Sequence, residues 1–165
     1  MHTEDVNSLI SDSGITSYRI TAKVWDVYTI DNFDQWHFPE GFYFEQFDTL
    51  FQVNATGQSD TAFHYDKEKL WRFVGNVRVM NVKGERFSSP ELFWNEKEKK
   101  FYSDSLVHII EADGSVKNVI GFVSNQEMTV YSYRKMHNSN FFLSQSSTES
   151  DSLQLSDEQR LKQTE

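Results

Sequence analysis

The side chains that could carry out catalysis or bind a metal are few and scattered along the chain. Five histidines lie at positions 2, 37, 64, 108 and 137. Neither His64 nor His108 has a second histidine or a carboxylate at the spacing of a metal site. Because the chain contains no cysteine, disulfides, thiolate chemistry and cysteine-based zinc sites are excluded. We therefore expect no metal and no cofactor.

Two pairs of carboxylates are close enough in sequence to suggest a general acid and a general base. They are Asp66/Glu68 and Glu96/Glu98. Each pair alternates with lysines in a short charged segment, which is typical of a solvated turn between strands. A glycoside hydrolase would instead need two carboxylates facing one groove, about 5 to 10 Å apart. We therefore expect no enzymatic activity.

Length and charge limit the class of protein. The chain has 165 residues, enough for one domain with its own core and too few for two of ordinary size. Its formal net charge of -9 argues against a nucleic-acid partner, which would require a basic surface. No apolar run approaches the ~20 residues of a membrane-spanning helix. The start of the chain is polar and acidic, unlike a secretory signal.

The elements that position the charged segments follow from a repeat with a period of thirty residues. One copy, FHYDKEKLWRFVGNVRV, begins at Phe63, and the other, FWNEKEKKFYSDSLVHI, begins at Phe93. A fixed period usually marks one supersecondary unit that is copied and stacked. Each copy has an aromatic stretch, a charged turn and a second stretch with apolar–polar alternation. This pattern predicts a β-hairpin.

Most of the remaining chain has the alternation typical of strands. Residues 18–24 alternate between apolar and polar side chains, and further strands are predicted at short intervals from 41 to 134. Aromatic residues make up 15% of the chain and also favour sheet. Asp113-Gly114 is a strong two-residue hairpin signal. The sequence therefore predicts an all-β fold with one antiparallel sheet that is curled or folded into two faces.

The two ends of the chain differ from this sheet-forming part. We predict a flexible N-terminal lead over residues 1–14 and a single β domain over residues 15–137. Residues 138–165 are rich in Ser, Gln and Glu, and they bury too little apolar area to offset the entropy of ordering. We predict that this tail is polar and mostly disordered.

The repeated residues also carry a resemblance to a known family. The pattern comprises Ala62, Tyr65, Leu70, Trp71, Gly75, Asn76, Val77 and Val79, followed by GERFSSPELFWNEKEKKFYSD and GFVSNQEM, and preceded by WHFPEGFYFEQFD. Over roughly residues 14 to 136 the chain resembles the lipopolysaccharide-export protein C family (LptC-like). The tail past Lys135 departs from the short ending usual in that family.

This resemblance implies a fold and a role. The fold would be an OstA-like curled β-jelly-roll that is open at its ends. The protein would lie in the periplasm of a Gram-negative bacterium, anchored to the inner membrane through an N-terminal segment outside this chain. It would receive lipopolysaccharide from the inner-membrane ABC transporter and relay it to the next jelly-roll protein of a bridge toward the outer membrane. The bridge protein would attach by adding a strand to an open sheet edge.

Strand alternation and the repeat suggest which residues face the interior of such a jelly-roll. We predict an apolar trough for the acyl chains of lipid A, lined by Ile20, Ala22, Phe42, Phe44, Phe63, Phe73, Val77, Val79, Phe93, Val107 and Ile109. For any one of these residues, ordinary core packing is the simpler explanation. The functional prediction concerns the whole set. Arg19, Lys23, Arg72 and Arg78 are expected on outward positions, either simply solvated or in contact with lipid phosphates at the rim.

A second class of function fits the same composition. A carbohydrate-binding β-sandwich of an envelope or secreted protein would also be acidic, antiparallel and rich in aromatic residues. Its stacking platforms for sugar rings would be Trp25, Trp36, Trp71 and Trp94. This alternative predicts several exposed, coplanar rings on one outer face of the sheet.

Overall fold

In the part of the chain that the structure describes, the alternating segments of the sequence form 14 strands that join in one antiparallel sheet. The structure is a computed structural model that describes residues 1–12 and 14–137. Its strands are β1 (His2–Asp12), β2 (Ile15–Ile30), β3 (Phe33–Phe38), β4 (Phe42–Phe47), β5 (Val53–Ser59), β6 (Thr61–Tyr65), β7 (Leu70–Asn81), β8 (Arg86–Asn95), β9 (Lys100–Ser103), β10 (Val107–Ile110), β11 (Val116–Ile120), β12 (Phe122–Asn125), β13 (Tyr131–Ser132) and β14 (Lys135–Met136). The predicted all-β antiparallel fold is confirmed.

The two sequence repeats are hairpins, as predicted. β6 and β7 are joined by residues 66–69, and β8 and β9 by residues 96–99. The last residue of each turn, Lys69 or Lys99, has a positive φ of 53° or 52°. A residue in that region closes a short hairpin loop with a twist that matches the flanking strands. The charged repeat segments are therefore exposed turns at one end of the sheet.

The sheet bends across its middle, so that it forms two halves. The first half-sheet contains β3, β6, the start of β7, the end of β8, β9, β12 and β13. The second half-sheet contains β4, β5, the end of β7, the start of β8, β10, β11 and β14. β2 belongs to both, because residues 26–30 pair with β3 and residues 18–22 pair with β4.

Particular residues hold the bend. Gly75 has a φ of 82°, and a Cβ added there would lie 2.7 Å from Oδ2 of Asp60. Only glycine combines this conformation with such a close approach. The backbone nitrogen of Asp60 donates to the carbonyl of Gly75 (2.9 Å), and Nδ2 of Asn76 donates to the Asp60 carboxylate (2.8 Å). These bonds satisfy polar groups at the point where the strands bend and the pairing of β7 with β8 shifts register.

Serines satisfy backbone groups at the same bend. Ser59 Oγ donates to the carbonyl of Thr61 (2.9 Å), and thirty residues later Ser89 Oγ donates to the carbonyl of Glu91 (2.8 Å). Ser103 Oγ also donates to the Glu91 carbonyl (2.7 Å). Such local bonds replace ladder bonds that a bent strand cannot make. Ser59 and Ser89 each precede their repeat copy by four residues, so the thirty-residue period also extends to the bend.

The inner faces of the two half-sheets pack on each other and form the core. Ring centroids of Phe42 and Trp71 lie 5.5 Å apart, and those of Phe44 and Phe73 lie 5.4 Å apart. Aromatic pairs at such separations add specific stabilisation to the burial of apolar area. One sheet folded on itself in this way is a curled β-jelly-roll.

The N-terminal residues differ from their prediction. Residues 2–12 were expected in a flexible lead, but they form β1, which pairs with β2 from Asp12↔Ile15 to His2↔Asp26. The segment is mostly polar because it is an edge strand. Within it, Val6 is buried, with 6% exposure, and joins the core. Main-chain hydrogen bonds to β2 hold the other residues of β1 in place, and amino-acid composition does not reveal such bonds.

The sheet also extends beyond the strands predicted from the sequence. β2 continues to Ile30, and the hairpin of β2 with β3 was not predicted. The predicted disordered tail, residues 138–165, lies outside the described residues. Within the residues described, no helix is long and apolar enough to span a membrane.

Candidate functional site

A cavity of about 420 Å³ lies between the inner faces of the two half-sheets. Its walls are mainly aromatic. Phe42 and Phe44 of β4 and Ile20 of β2 form one wall, and Trp71, Phe73, Trp94 and Phe101 of β7, β8 and β9 form the opposite wall. Within each strand, the residues that line the cavity lie on the same face, because side chains alternate along a strand. The strands on both sides pair their own backbones, so the walls present side chains rather than backbone polar groups.

The rim of the cavity is polar and carries charges of both signs, since three lysines line it together with the carboxylate of Glu96. Lys69 and Lys97 come from the two repeat turns, and Lys99 follows Lys97 in the second turn. Lys69 is bonded to Asp66, whereas Lys97 and Lys99 have no ion-pair partner in the described part of the chain. The opposite rim is the β1–β2 hairpin, which contributes Ile10, Ser11, Ser17 and Tyr18. An apolar interior therefore opens between lysine-bearing turns and a polar hairpin.

Toward the C-terminal strands, side chains fill the space between the half-sheets. Met128 is 0% exposed, and its carbonyl accepts a hydrogen bond from Nδ2 of Asn81 (2.9 Å). Phe87 packs on Phe122 and Tyr131, with centroids 5.5 and 5.7 Å apart. The cavity thus occupies the end of the interior that is nearer to β1 and β2.

A partly buried polar cluster in the wall of the cavity links the two repeats. Nε2 of His64 and Nε1 of Trp71 lie 3.0 and 2.8 Å from Oε1 of Glu96. Burial raises the pKa of Glu96, but the hydrogen bonds from His64 and Trp71 outweigh it and hold the pKa below its ordinary value. No carboxylate near His64 in sequence indicates this pairing, because Glu96 is thirty-two residues away, in the other repeat. Among the described residues, no group of three side chains could hold a metal ion.

Most of the predicted trough residues lie in the core between the half-sheets. These are Ile20, Ala22, Phe42, Phe44, Phe73, Val77, Val79, Val107 and Ile109. Of this set, Ile20, Phe42, Phe44 and Phe73 line the cavity. The other five pack within the core.

The inward positions predicted for Phe63 and Phe93 are wrong. Both side chains are half-buried on the outer face of the first half-sheet. Phe63 stacks on His37 with centroids 4.6 Å apart, and Phe93 stacks on Tyr102 at 5.0 Å. The repeat showed correctly that the two phenylalanines are equivalent, but it does not show which face they share. The inward residues on either side of Phe93 are Leu92 and Trp94, which are 2% and 4% exposed.

Three aromatic residues of the cavity wall were absent from the predicted set. Trp71, Trp94 and Phe101 are all buried, and Nε1 of Trp94 has no hydrogen-bond partner among the described residues. A signal for two of them was present, because Trp71 is two residues before Phe73 and aligns with Phe101 in the repeat. Alternation along β7 places Trp71 on the same face as Phe73, whereas Phe63 pairs with Arg72 and lies on the opposite face.

The tryptophans do not form the exposed platform that a carbohydrate-binding sandwich requires. Trp71 and Trp94 are buried, and Trp25 packs against Trp36 (5.0 Å) and the core. The coplanar rings on the outer face, such as Phe63 with His37 at 6°, stack on each other. Each of these rings therefore has at least one face covered by a neighbouring ring.

Comparison with models of known protein families gives no match, and no curated protein matches the chain. Among solved structures, the chain is similar to the crystal structure of LptH, described as the LptA homologous periplasmic component of the conserved lipopolysaccharide transport device from Pseudomonas aeruginosa. The TM-score is 0.43 and the sequence identity 13%, over 73% of this chain and 93% of LptH.

Proposed function

We propose that this chain binds lipopolysaccharide by placing acyl chains in the cavity between the half-sheets, and relays it along a periplasmic bridge. The lipid would come from the inner-membrane ABC transporter and pass to the next jelly-roll protein. The proposed role is transfer without covalent chemistry. The observation that supports it best is the combination of an aromatic cavity with a lysine-bearing rim in one opening. The resemblance of the repeat segments to the LptC-like family supports the same role.

The dimensions and the chemistry of the cavity suit an acyl chain. Its volume of about 420 Å³ lies within the range of ordinary ligand pockets, roughly 300 to 1,000 Å³. Each methylene that leaves water for this surface gains about 0.8 kcal/mol. Partial burial of one chain would therefore give substantial affinity. The neighbouring lysines would meet the negatively charged groups of the lipid at the boundary with water.

Relay to a second jelly-roll requires an open sheet edge and a suitable location. β1 pairs with β2 on one side, and no described strand pairs with its other side. An unpaired strand edge offers main-chain donors and acceptors to a partner strand. The corresponding location would be the periplasm, with anchoring to the inner membrane.

Tryptophan fluorescence tests acyl-chain binding. Trp71 and Trp94 line the cavity, whereas Trp25 and Trp36 do not. We expect lipids with brominated acyl chains to quench the fluorescence of the wild-type chain. The Trp71→Phe/Trp94→Phe double variant should lose most of that quenching, and the matched Trp25→Phe/Trp36→Phe variant should keep it. Quenching that persists in the first variant and disappears in the second would place the lipid elsewhere.

The role of the rim is tested with lysines from equivalent positions of the two repeats. Lys97 lines the cavity, while its equivalent Lys67 lies 5.7 Å from the ring of Phe33 and does not line it. Lys97→Gln should weaken binding of a phosphorylated lipid more than binding of the same lipid without phosphate. Lys67→Gln should change neither. Equal effects of the two substitutions would show that only the net charge of the protein matters.

A further inference from the structure

Two arginines lie side by side on the outer face of the second half-sheet. Arg78 of β7 is opposite Ser88 of β8, and Met80 is opposite Arg86. All four side chains point away from the core, because they alternate with buried residues along both strands. Arg78 and Arg86 are therefore diagonal neighbours, with Cα atoms roughly 7 to 8 Å apart, a separation that long side chains bridge easily.

This pair differs from the other arginines of the described chain in having no carboxylate partner. Arg19 is bonded to Glu45 (3.1 Å), Arg72 to Glu91 (2.7 Å) and Arg134 to Asp104 (3.1 Å). Among the described residues, neither Arg78 nor Arg86 forms an ion pair with an acidic side chain. Such a concentration of unneutralised positive charge is unexpected in a chain of net charge -9. Two adjacent like charges repel each other, and a bound anion would relieve that repulsion.

The surface between the two arginines is concave. A cavity of about 170 Å³ is lined by both of them and by Tyr43, Gln58 and Ser88, whose neutral polar groups can exchange hydrogen bonds with hydroxyls. This volume is below that of an ordinary ligand pocket, roughly 300 Å³ or more, so it suits one anionic group rather than an acyl chain.

The depression continues from Arg78 toward the bend of the sheet. This second part is about 560 Å³ in volume and contains the carboxylates of Glu40 and Asp60. Both already have partners, since Glu40 pairs with Lys23 (3.0 Å) and Asp60 accepts from Asn76 (2.8 Å). A ligand held at the arginines therefore has room to extend over a polar surface.

We propose that Arg78 and Arg86 form a binding site for a phosphate or carboxylate group carried by a sugar. The planar guanidinium groups match the geometry of either anion and bind it with paired hydrogen bonds. Tyr43, Gln58 and Ser88 would contact the hydroxyls of the same sugar. The site lies on the opposite face of the second half-sheet from the acyl-chain cavity, and it does not depend on the function proposed for that cavity.

Calorimetric titration of the chain with three small probes tests the site. Glucose 1-phosphate carries a phosphate, glucuronate a carboxylate, and glucose neither. We expect at least one of the charged probes to bind with an affinity in the millimolar range or better, and glucose to show no binding. The tighter of the two charged probes identifies the anion. Equal binding of glucose, or no binding of either charged probe, would overturn the proposal.

Substitutions locate the binding. Arg78→Gln and Arg86→Gln should each weaken binding of the charged probe about tenfold or more, as expected for loss of a charge-assisted hydrogen bond. Arg134→Gln removes the same charge from an exposed arginine that already has a partner, and it should leave binding unchanged. A similar loss in all three variants would show that the probe responds to net charge alone. Quenching of Trp71 and Trp94 by brominated acyl chains should be unaffected in these variants, which separates this site from the cavity.

Discussion

Gly57 is the position at which a single methyl group should change both the core and the cavity. It lies in β5, between Phe44 of β4 and Val79 of β7. A Cβ added to Gly57 would lie 2.2 Å from Cε1 and 2.5 Å from Cζ of Phe44. The backbone of Gly57 is not among the positive-φ positions, so alanine meets no conformational penalty there. The effect of Gly57→Ala is therefore a steric displacement of one ring.

The size of the effect follows from these distances. Ordinary contact begins at 3.4 Å, so the nearest ring atom must move by about 3.4 − 2.2 = 1.2 Å. The ring already packs on Phe73 (5.4 Å) and Phe101 (6.5 Å), and the space open to it is the cavity that it lines. Overpacking of this kind costs about 1 to 3 kcal/mol. The lower chain entropy of unfolded alanine offsets about 0.4 to 1 kcal/mol. The middle of these two ranges gives a net destabilisation of roughly 1.3 kcal/mol, and we expect a smaller cavity.

Urea unfolding of four proteins measures this coupling. They are the wild type, Gly57→Ala, Phe44→Ala and the double variant. Without the phenyl ring the added methyl loses its three nearest contacts, so the double variant should be more stable than the sum of the single effects by about 0.5 to 3 kcal/mol. Gly57→Ala should also reduce quenching by brominated acyl chains. A Gly57→Ala protein as stable as the wild type, or an additive cycle, would refute the reasoning.

Two further predictions concern stability. Phe73→Ala should lower the free energy of unfolding by about 3 to 5 kcal/mol, because Phe73 is only 4% exposed. Phe63→Ala should lower it clearly less. Equal losses in urea unfolding would contradict the placement of the two rings on opposite faces. Hydrogen bonds from Lys117 and Ser115 hold the pKa of Glu111 at about 2, below its ordinary value of 4.5. The ionised Glu111 therefore stabilises the fold above pH 4.5, and this stabilisation is lost as the pH falls toward 2. The urea midpoint should therefore fall more across that window in the wild type than in Glu111→Gln, and identical profiles would count against this bond network.

Much of the fold could be predicted from local patterns. The thirty-residue repeat, the charged turns and the alternation of apolar residues are all short-range features, and each corresponds to an observed hairpin. β1 could not be found in this way. Its stability comes from backbone bonds to β2 rather than from an apolar face, and its one well-buried core residue, Val6, gives no alternation to read.

The candidate site was only partly predictable, because the alternation of side chains along a strand does not show which face is inside when both faces carry aromatic rings. Phe63 and Phe93 stack with partners on the outer face, while Trp71 and Phe73 form the wall of the cavity. Both sets are aromatic and both have a period of two. Which face is inside depends on how the sheet bends, and the bend is set by contacts between distant strands such as Gly75 with Asp60. No local pattern contains that information.

Photo-crosslinking in cells tests the central claim, that acyl chains occupy the space between the half-sheets. A photoreactive phenylalanine analogue would replace Phe73 in the cavity wall or, as the matched control, Phe93 on the outer face. We predict a lipopolysaccharide adduct at position 73 and little or none at position 93. Adducts at position 93 without any at position 73 would contradict an interior path for the lipid.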